Sequence, residues 1–393
     1  MTDLAGRLQI ELRRTGDGLA ADIRSSRPVA AGRVFAGKGV QETAALLPAL
    51  FSVCATAQAV ACAQACEAAL GMEPPPPIPR LRELLTRAET VREHLWRMLL
   101  DWPRLLGEDP QGAAMAGVMG ACGRLRTALG DPLLPGACRG EPDIQAGLEA
   151  LDALERIGVE RVFGMAPAAW LDRVTGGAGL KTWAAAAHTP AAGLLRRVED
   201  RGWAALGRSP VPGLPPLSAA RWEVLLGGED ADDFVAAPLW QGRPAESSPL
   251  TRNRDVPLVA GLSRRCHNGL VPRLAAQLTE LASLLVRLRG GIRDLGMEGV
   301  SSAPVPRGVL PVGVGIARVQ AARGLLVHRV FVRNETVVEY RILAPTEWNF
   351  HPAGPVAAGL AGLPPMDDDD LLRFAGLFVI AVDPCVDYAV NMA

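Results

Sequence analysis

Asp383-Pro384-Cys385-Val386-Asp387-Tyr388-Ala389-Val390-Asn391-Met392-Ala393, after an apolar run from Phe374 to Val382, is the stretch on which the fold turns. The run reads as the end of a buried helix or strand that delivers Cys385 to the interior, and the preceding proline stiffens the backbone there. Free cysteine is often buried simply because it packs well, which accounts for Cys385 taken alone. A second cysteine changes the reading. Cys54 lies near the other end of the chain, in Leu50-Phe51-Ser52-Val53-Cys54-Ala55-Thr56-Ala57-Gln58-Ala59, where a helix is expected to begin.

A chain of 393 residues, 49% of them hydrophobic, can bury a large core. Helix formers dominate, and 2 Tyr and 8 Phe beside 42 Gly and 32 Pro argue against an all-β fold. The expected fold class is mainly α with small β elements, an α+β arrangement. A net charge of -1 leaves no electrostatic footprint for nucleic acid. No apolar run reaches the roughly 18 residues of a spanning helix, and Met1-Thr2-Asp3-Leu4 lacks the basic-then-apolar pattern of a signal peptide, so no membrane association is expected. The cysteines, 7 in all and scattered, suit a reducing compartment better than a disulfide framework, and the cytoplasm is the expected location.

In chain order, Leu8-Gln9-Ile10-Glu11-Leu12 alternates apolar and polar, and Ala20-Ala21-Asp22-Ile23 follows a turn at Gly16 to Gly18, which predicts a hairpin. An alanine-rich helix runs from about Val53 to Leu70, stopped by Gly71 and by Pro74 to Pro77, a stiff connector. Leu81, Leu84, Leu85, Ala88, Val91, Leu95, Met98, Leu99 and Trp102 recur at helical spacing until Pro103 closes the pattern. From Pro110 to Gly261 only short helical patches show, such as Gln145 to Ile157 and Ala191 to Val198. Gly176-Gly177-Ala178-Gly179 lacks the Lys-Ser/Thr of a phosphate loop and reads as a plain loop. Trp170, Trp183, Trp203 and Trp222 read as core. A strong amphipathic helix spans Leu270 to Leu288, and Leu325 to Val332 with Thr336 to Ile342 flank a turn at Arg333-Asn334-Glu335, predicting a second hairpin. Asp367 to Asp370 reads as a helix start.

These segments together resemble the large subunit of the nickel-iron hydrogenases. That family carries a Cys-Gly-Val-Cys motif followed by a His near one end; the matching stretch here is Phe51-Ser52-Val53-Cys54, with Gln58 at the His position. Its second motif, Asp-Pro-Cys-x-x-Cys-x-x-His, appears as Asp383-Pro384-Cys385-Val386-Asp387-Tyr388-Ala389-Val390-Asn391. Ala322-Arg323-Gly324-Leu325-Leu326-Val327-His328 is similar to the family's Ala-Pro-Arg-Gly segment with its trailing His, and Pro345-Thr346-Glu347-Trp348-Asn349 to its Pro-Thr-Thr-Trp-Asn. Leu4-Ala5-Gly6-Arg7-Leu8-Gln9-Ile10 resembles Arg-Ile-Glu-Gly-His-Leu-Arg-Ile, with Ala5 in place of a proton-relaying glutamate. The resemblance covers the first hundred residues and the last eighty or so. It implies one shortened large-subunit-like domain over 1–393, with 1–105 and 305–393 forming the halves of a metal site and 106–304 a helical middle region.

The departures bear on function. A nickel-iron centre needs four thiolates, two of them bridging, because soft ligands hold nickel and join it to iron. Phe51 and Tyr388 remove two thiolates, Gln58 and Asn391 two imidazoles, and Ala5 the proton relay, so neither hydrogen turnover nor nickel is expected. With Ala393 as the last residue of the sequence, the processing step in which a protease removes an extension from catalytic subunits of the family is not expected here. The pattern is similar to accessory proteins of the HupK and HoxV type, large-subunit paralogues that act in hydrogenase maturation. What this implies is a scaffold, no enzyme, that holds a transient Fe(CN)2(CO) unit between Cys54 and Cys385, with Arg323 donating charge-assisted hydrogen bonds to cyanide and with Asp383 and His328 in supporting positions. The implied partners are a HypC-type chaperone, a HypD-type assembly protein and the hydrogenase large subunit as acceptor. Cys54, at a helix N-terminus, is expected to have a lowered pKa. By the resemblance Cys54 matches a bridging position and Cys385 a terminal nickel position, which leaves open whether both ligate the same metal.

Cys62 and Cys66, four apart on one helix, read as core, and Cys122, Cys138 and Cys266 stand alone. His94, on a charged helix, reads as a surface or helix-packing residue. Two other readings remain: a metal-free structural or quinone-site-like subunit of a redox complex, and a residual enzyme.

Overall fold

The structure, a computed structural model, describes residues 6–16, 18–137, 140–296 and 310–393. Ala5, Cys138 and the boundary between 304 and 305 lie outside them.

Strand β1 (Arg7–Thr15) pairs antiparallel with β2 (Gly18–Ser25), Ile10 opposite Ile23, as the alternation predicts. Leu8, Ile10 and Leu12 fall on one face of β1 and are buried. The alanine-rich helix, Ala55–Leu70, follows a short turn at Ser52–Cys54 and ends on Gly71, whose φ of 67° is the left-handed conformation of a helix stop. With that turn it forms a 19-residue stretch, Ser52–Leu70, of hydropathy 1.3. By length and composition this could cross a membrane, which corrects the expectation that no stretch reaches that length; 56% of it is buried inside the fold.

What buries it is a second sheet, β3 (Val314–Ala321), β4 (Gly324–Arg333) and β5 (Thr336–Leu343), in the order β3-β4-β5. The β4–β5 hairpin is the one expected; its turn residues Asn334 and Glu335 have φ of 49° and 56°, a pair of positive values that suits the twist of the strands. β3 lies so close to the helix that a Cβ on Gly315 would stand 1.8 Å from the Ala65 carbonyl oxygen. Only glycine allows that approach.

The helix Pro77–Trp96 does not end at Pro103. A π turn at Arg97–Asp101 carries it into a further helix, Trp102–Leu106, where Pro103 sits in the first turn and no intrahelical N–H is lost. The glycine run read as a loop is instead a helix start, with Gly176 preceding the helix Gly177–Ala186. The helical patches of the middle become Ile144–Gly158 and Pro190–Asp200. Trp170, Trp183, Trp203 and Trp222 are buried, as expected. The amphipathic helix extends over Leu270–Leu295, with Leu274, Leu278, Leu281, Leu285 and Leu288 fully buried. Asp367 caps the helix Asp368–Val382 by accepting the Asp370 N–H at 2.8 Å, the role read for the acidic run.

After that helix comes a strand the periodicity did not disclose. β6 (Asp387–Met392) lies parallel to β1, Val390 opposite Ile10, so the first sheet runs β2-β1-β6. Cys385 stands two residues before it. One apolar cluster draws residues from Leu8 through to Val382. The fold is thus mainly α with two small sheets, as composition implied.

Gly315→Ala is expected to cost about 1–3 kcal/mol by overpacking. Gly290→Ala, on an exposed helix face with open space at the Cβ position, is expected to add roughly 0.5–1 kcal/mol. Chemical denaturation of the two variants distinguishes them by the sign of the change.

Candidate metal centre

Cys54 is the residue before the helix Ala55–Leu70, with φ -117° and ψ 39°. The free N–H groups of the first helical turn do not point at its sulfur unopposed. Glu89 on the helix Pro77–Trp96 takes two of them, Thr56 N–H at 2.7 Å and Ala57 N–H at 2.9 Å. Burial, then Cys385 and then Glu89 push the Cys54 thiol up to about 12, against the opposing effects of Arg323 and Gln58. The expected lowering is therefore wrong: the helix terminus already has a carboxylate cap, and a second anion beside it is disfavoured. Arg92 reaches past Glu89 to donate to the Val53 carbonyl at 2.7 Å, which pins the turn that carries Cys54.

Gln58, one helical turn on, directs its amide N–H toward Cys54 Sγ at 3.7 Å and accepts from His328 Nε2 at 2.9 Å. Burial drops the His328 pKa to about 3, so the ring is neutral. It accepts at Nδ1 from the Tyr340 hydroxyl, 2.8 Å away. Tyr340 also meets Cys62, whose free thiol is hydrogen-bonded to that of Cys66; both of those cysteines are fully buried, consistent with core packing. His328 thus reaches Cys54 only through Gln58.

Cys385 is surrounded differently. Arg27, on the segment after β2, points Nη1 at Cys385 Sγ from 2.5 Å, and the Thr346 hydroxyl lies 2.9 Å from the same sulfur. Arg27 Nε pairs with Glu347 at 3.2 Å, both side chains about nine-tenths buried. The short helix Pro345–Asn349 therefore serves the site with alternate functions: Thr346 holds the sulfur, Glu347 holds Arg27, and Asn349 donates to the Arg323 carbonyl at 3.4 Å. The sequence offered no signal for Arg27, one of two arginines in the polar stretch Arg24-Ser25-Ser26-Arg27.

Between the two cysteines stands Arg323. It follows β3, and the next residue, Gly324, has φ of 143° and lies where a Cβ would be 2.1 Å from the Ser247 carbonyl oxygen, so the Arg-Gly pair is a steric requirement. Arg323 Nε donates to Asp383 Oδ1 at 3.1 Å and to the Pro384 carbonyl at 3.0 Å, and Nη2 to Glu93 at 2.9 Å. Arg97 donates to the same Asp383 oxygen at 2.7 Å and also to the Pro384 carbonyl. Burial favours a protonated Asp383, yet Arg323 and Arg97 hold its carboxyl below the usual range. Glu89, Glu93 and Arg97 are spaced by four along one helix face, a periodic signal that was present in the sequence and marks this buried charged stripe. His94, fully buried, belongs to the interior: its Nε2 lies 2.9 Å from Glu280, so the surface alternative is wrong and the helix-packing one holds.

Cys54, Cys385 and Arg323 line one hollow, with Gln58, Leu326 and Pro345 among its other walls; its enclosed part has room for about one water, and it opens to solvent. Asp383 and His328 do not line it; they position residues that do. Arg323 Nη1 is buried and has no protein partner among the described residues. Buried guanidinium N–H groups are ordinarily paired, so this one, on a residue that lines the hollow, is left wanting an acceptor. Among the described residues no group of three or more His, Cys, Asp or Glu side chains is placed to hold a metal ion. The donor set toward the hollow is two sulfurs and one cation.

No family model matches the chain. It is 34% identical to the hydrogenase expression/formation protein HoxV of Cupriavidus necator, over 96% of this chain and 94% of that one. To the hydrogenase expression/formation protein HupK of Rhizobium leguminosarum it is 31% identical, over 94% and 92% of the two chains. Its fold is similar to that of the Ni-Fe-Se hydrogenase of D. vulgaris Hildenborough, with a TM-score of 0.65 over 94% of each chain at 15% identity.

Asp383→Asn, which strips the charge between Arg97 and Arg323, is expected to cost about 3 kcal/mol in denaturant unfolding. His328 makes a second prediction. Its folded pKa lies below the unfolded value of about 6.5, so under that pH the unfolded chain binds the extra proton and stability falls as pH drops toward 3. His328→Gln should flatten the dependence of stability on pH between those limits, measured as denaturation midpoints.

Proposed function

The chain belongs to the hydrogenase expression/formation proteins of the HoxV and HupK type, and from that premise we propose that it is a maturation scaffold that carries an Fe(CN)2(CO) unit for delivery to the hydrogenase large subunit. The observation that carries this reading is the hollow itself: two free sulfurs from opposite ends of the chain line it together with Arg323, whose buried Nη1 lacks an acceptor among the described residues. Cys54 and Cys385 would ligate the iron, and Arg323 Nη1 would donate to a cyanide nitrogen, a charge-assisted bond stronger than a neutral one. The cargo brings its remaining ligands with it, so two protein donors suffice. No catalytic turnover is part of this role, nor is nickel.

The residues divide the work of taking up and giving up the cargo. Cys385 Sγ accepts a hydrogen bond from Arg27 and lies 2.9 Å from the Thr346 hydroxyl, contacts that fix where the sulfur points. Cys54, whose thiol is pushed up to about 12, gives up a proton when it binds iron, because metal ligation requires the thiolate. A proton returned to Cys54 therefore weakens the hold of the site on its cargo. Two thiolates where a permanent nickel-iron centre has four suit a carrier that must let go. The partners that fit are a HypC-type chaperone and a HypD-type assembly protein on the donating side and the large subunit on the accepting side, in the cytoplasm where they act.

Protein purified from cells with the maturation machinery should show infrared bands of carbon monoxide and cyanide, lost in Cys54→Ala and in Cys385→Ala. Arg323→Leu should move the cyanide bands more than the carbonyl band. Wild-type protein from such cells without any of these bands, stably bound to an iron-sulfur subunit, would instead make it a metal-free member of a redox complex.

A further inference from the structure

We propose that Arg27 is the selectivity residue of the hollow: by holding a lone pair of Cys385 with a fixed positive charge, it admits an iron unit whose own cyanide ligands cancel the charge of the metal and rejects bare divalent cations. This rests on the reading of the hollow as a carrier site and adds the basis of its choice of cargo.

A thiolate that bridges two metals uses two lone pairs, whereas a terminal one uses a single pair. Cys385 Sγ already has Arg27 Nη1 at 2.5 Å and the Thr346 hydroxyl at 2.9 Å, so it can serve one metal at most. Arg27 cannot swing aside freely. Its Nε is held by Glu347, which in turn accepts the Ala344 N–H at 3.0 Å at the start of the helix Pro345–Asn349. Guanidinium also stays charged at every accessible pH.

The charges around the hollow point the same way. Arg27 touches one of its two sulfurs, and Arg323 lines the wall between them. The carboxylates that balance these cations, Glu347, Glu93 and Asp383, are bonded to them and do not line the hollow. A free divalent ion entering would meet the Arg323 guanidinium in the wall and no carboxylate among the lining residues, and on binding Cys385 it would stand close to the Arg27 guanidinium behind that sulfur, a repulsion strengthened by the low local dielectric. A unit such as Fe(CN)2(CO), in which two cyanides cancel the charge of iron(II), escapes that repulsion, and its cyanide nitrogens would supply the acceptor that Arg323 Nη1 lacks among the described residues.

The test uses full-length protein prepared without the maturation machinery, titrated anaerobically with Ni2+ and followed by thiolate-to-nickel charge-transfer absorption. Wild type is expected to bind weakly. Arg27→Met, which keeps the length and removes the charge, should bind Ni2+ at least about 10-fold more tightly, since a like charge within a few ångströms is worth that or more. Arg27→Gln, able to keep a bond to Glu347, should show the same gain if the Met variant folds poorly, and Arg27→Lys should stay near wild type. The gain must vanish when Cys385→Ser is added. Equal Ni2+ affinity in wild type and both neutral variants, or a gain that survives Cys385→Ser, overturns the assignment of Arg27. Neither outcome depends on infrared bands, so the carrier reading and this one can fail separately.

Discussion

The carboxylate of Asp383 accepts from Arg97 and Arg323 through one oxygen, and the placement of the site follows from that contact. It ties together three distant pieces of chain: the π turn after Trp96, the corner between β3 and β4, and the end of the helix Asp368–Val382. Asp383 itself has φ of 67°, a left-handed conformation that turns the chain out of the helix toward Cys385. Buried ion pairs of this kind add little net stability, because desolvation offsets the attraction. Their effect here is geometric. Each arginine keeps a second acid, Asp101 for Arg97 and Glu93 for Arg323, so the cluster is internally compensated and the Pro384 carbonyl is held by both.

Two sulfurs of the same chemical type face the hollow in opposite electrostatic settings. Near Cys54 the helix terminus is occupied by Glu89, and burial beside that carboxylate favours the neutral thiol. Near Cys385 an arginine bonds the sulfur directly. The hollow is therefore asymmetric, with a carboxylate beside the turn that carries one sulfur and a guanidinium bonded to the other.

The fold's outline was legible where a single element carries its own signal. Alternation in Leu8 to Leu12, the leucine stripe of 270–288 and the acidic start at Asp367 each act over one turn or one strand. β6 was not legible, since its pairing with β1 joins residues far apart in sequence and its own pattern is short. The same holds for the site. Cys54, Cys385 and Arg323 could be singled out by motif, but Arg27 and Glu347 meet only through tertiary packing, and the carboxylate cap that reverses the Cys54 expectation comes from a neighbouring helix. Pro103 misled because proline stops a helix only where an N–H is needed, and the π turn before it reset the count.

The parallel pairing of Ile10 with Val390 has a further meaning for how this molecule comes into being. Closing so large a loop is entropically slow, so this seam is expected to zip after the more local helices and hairpins have condensed. A seam that forms late, at a sheet edge, also tends to fray early. Cys385 hangs from its start. Opening that strand would free the chain beyond Cys385 while Arg27 and Thr346 still hold the sulfur, so the seam and the hollow are fastened at separate points.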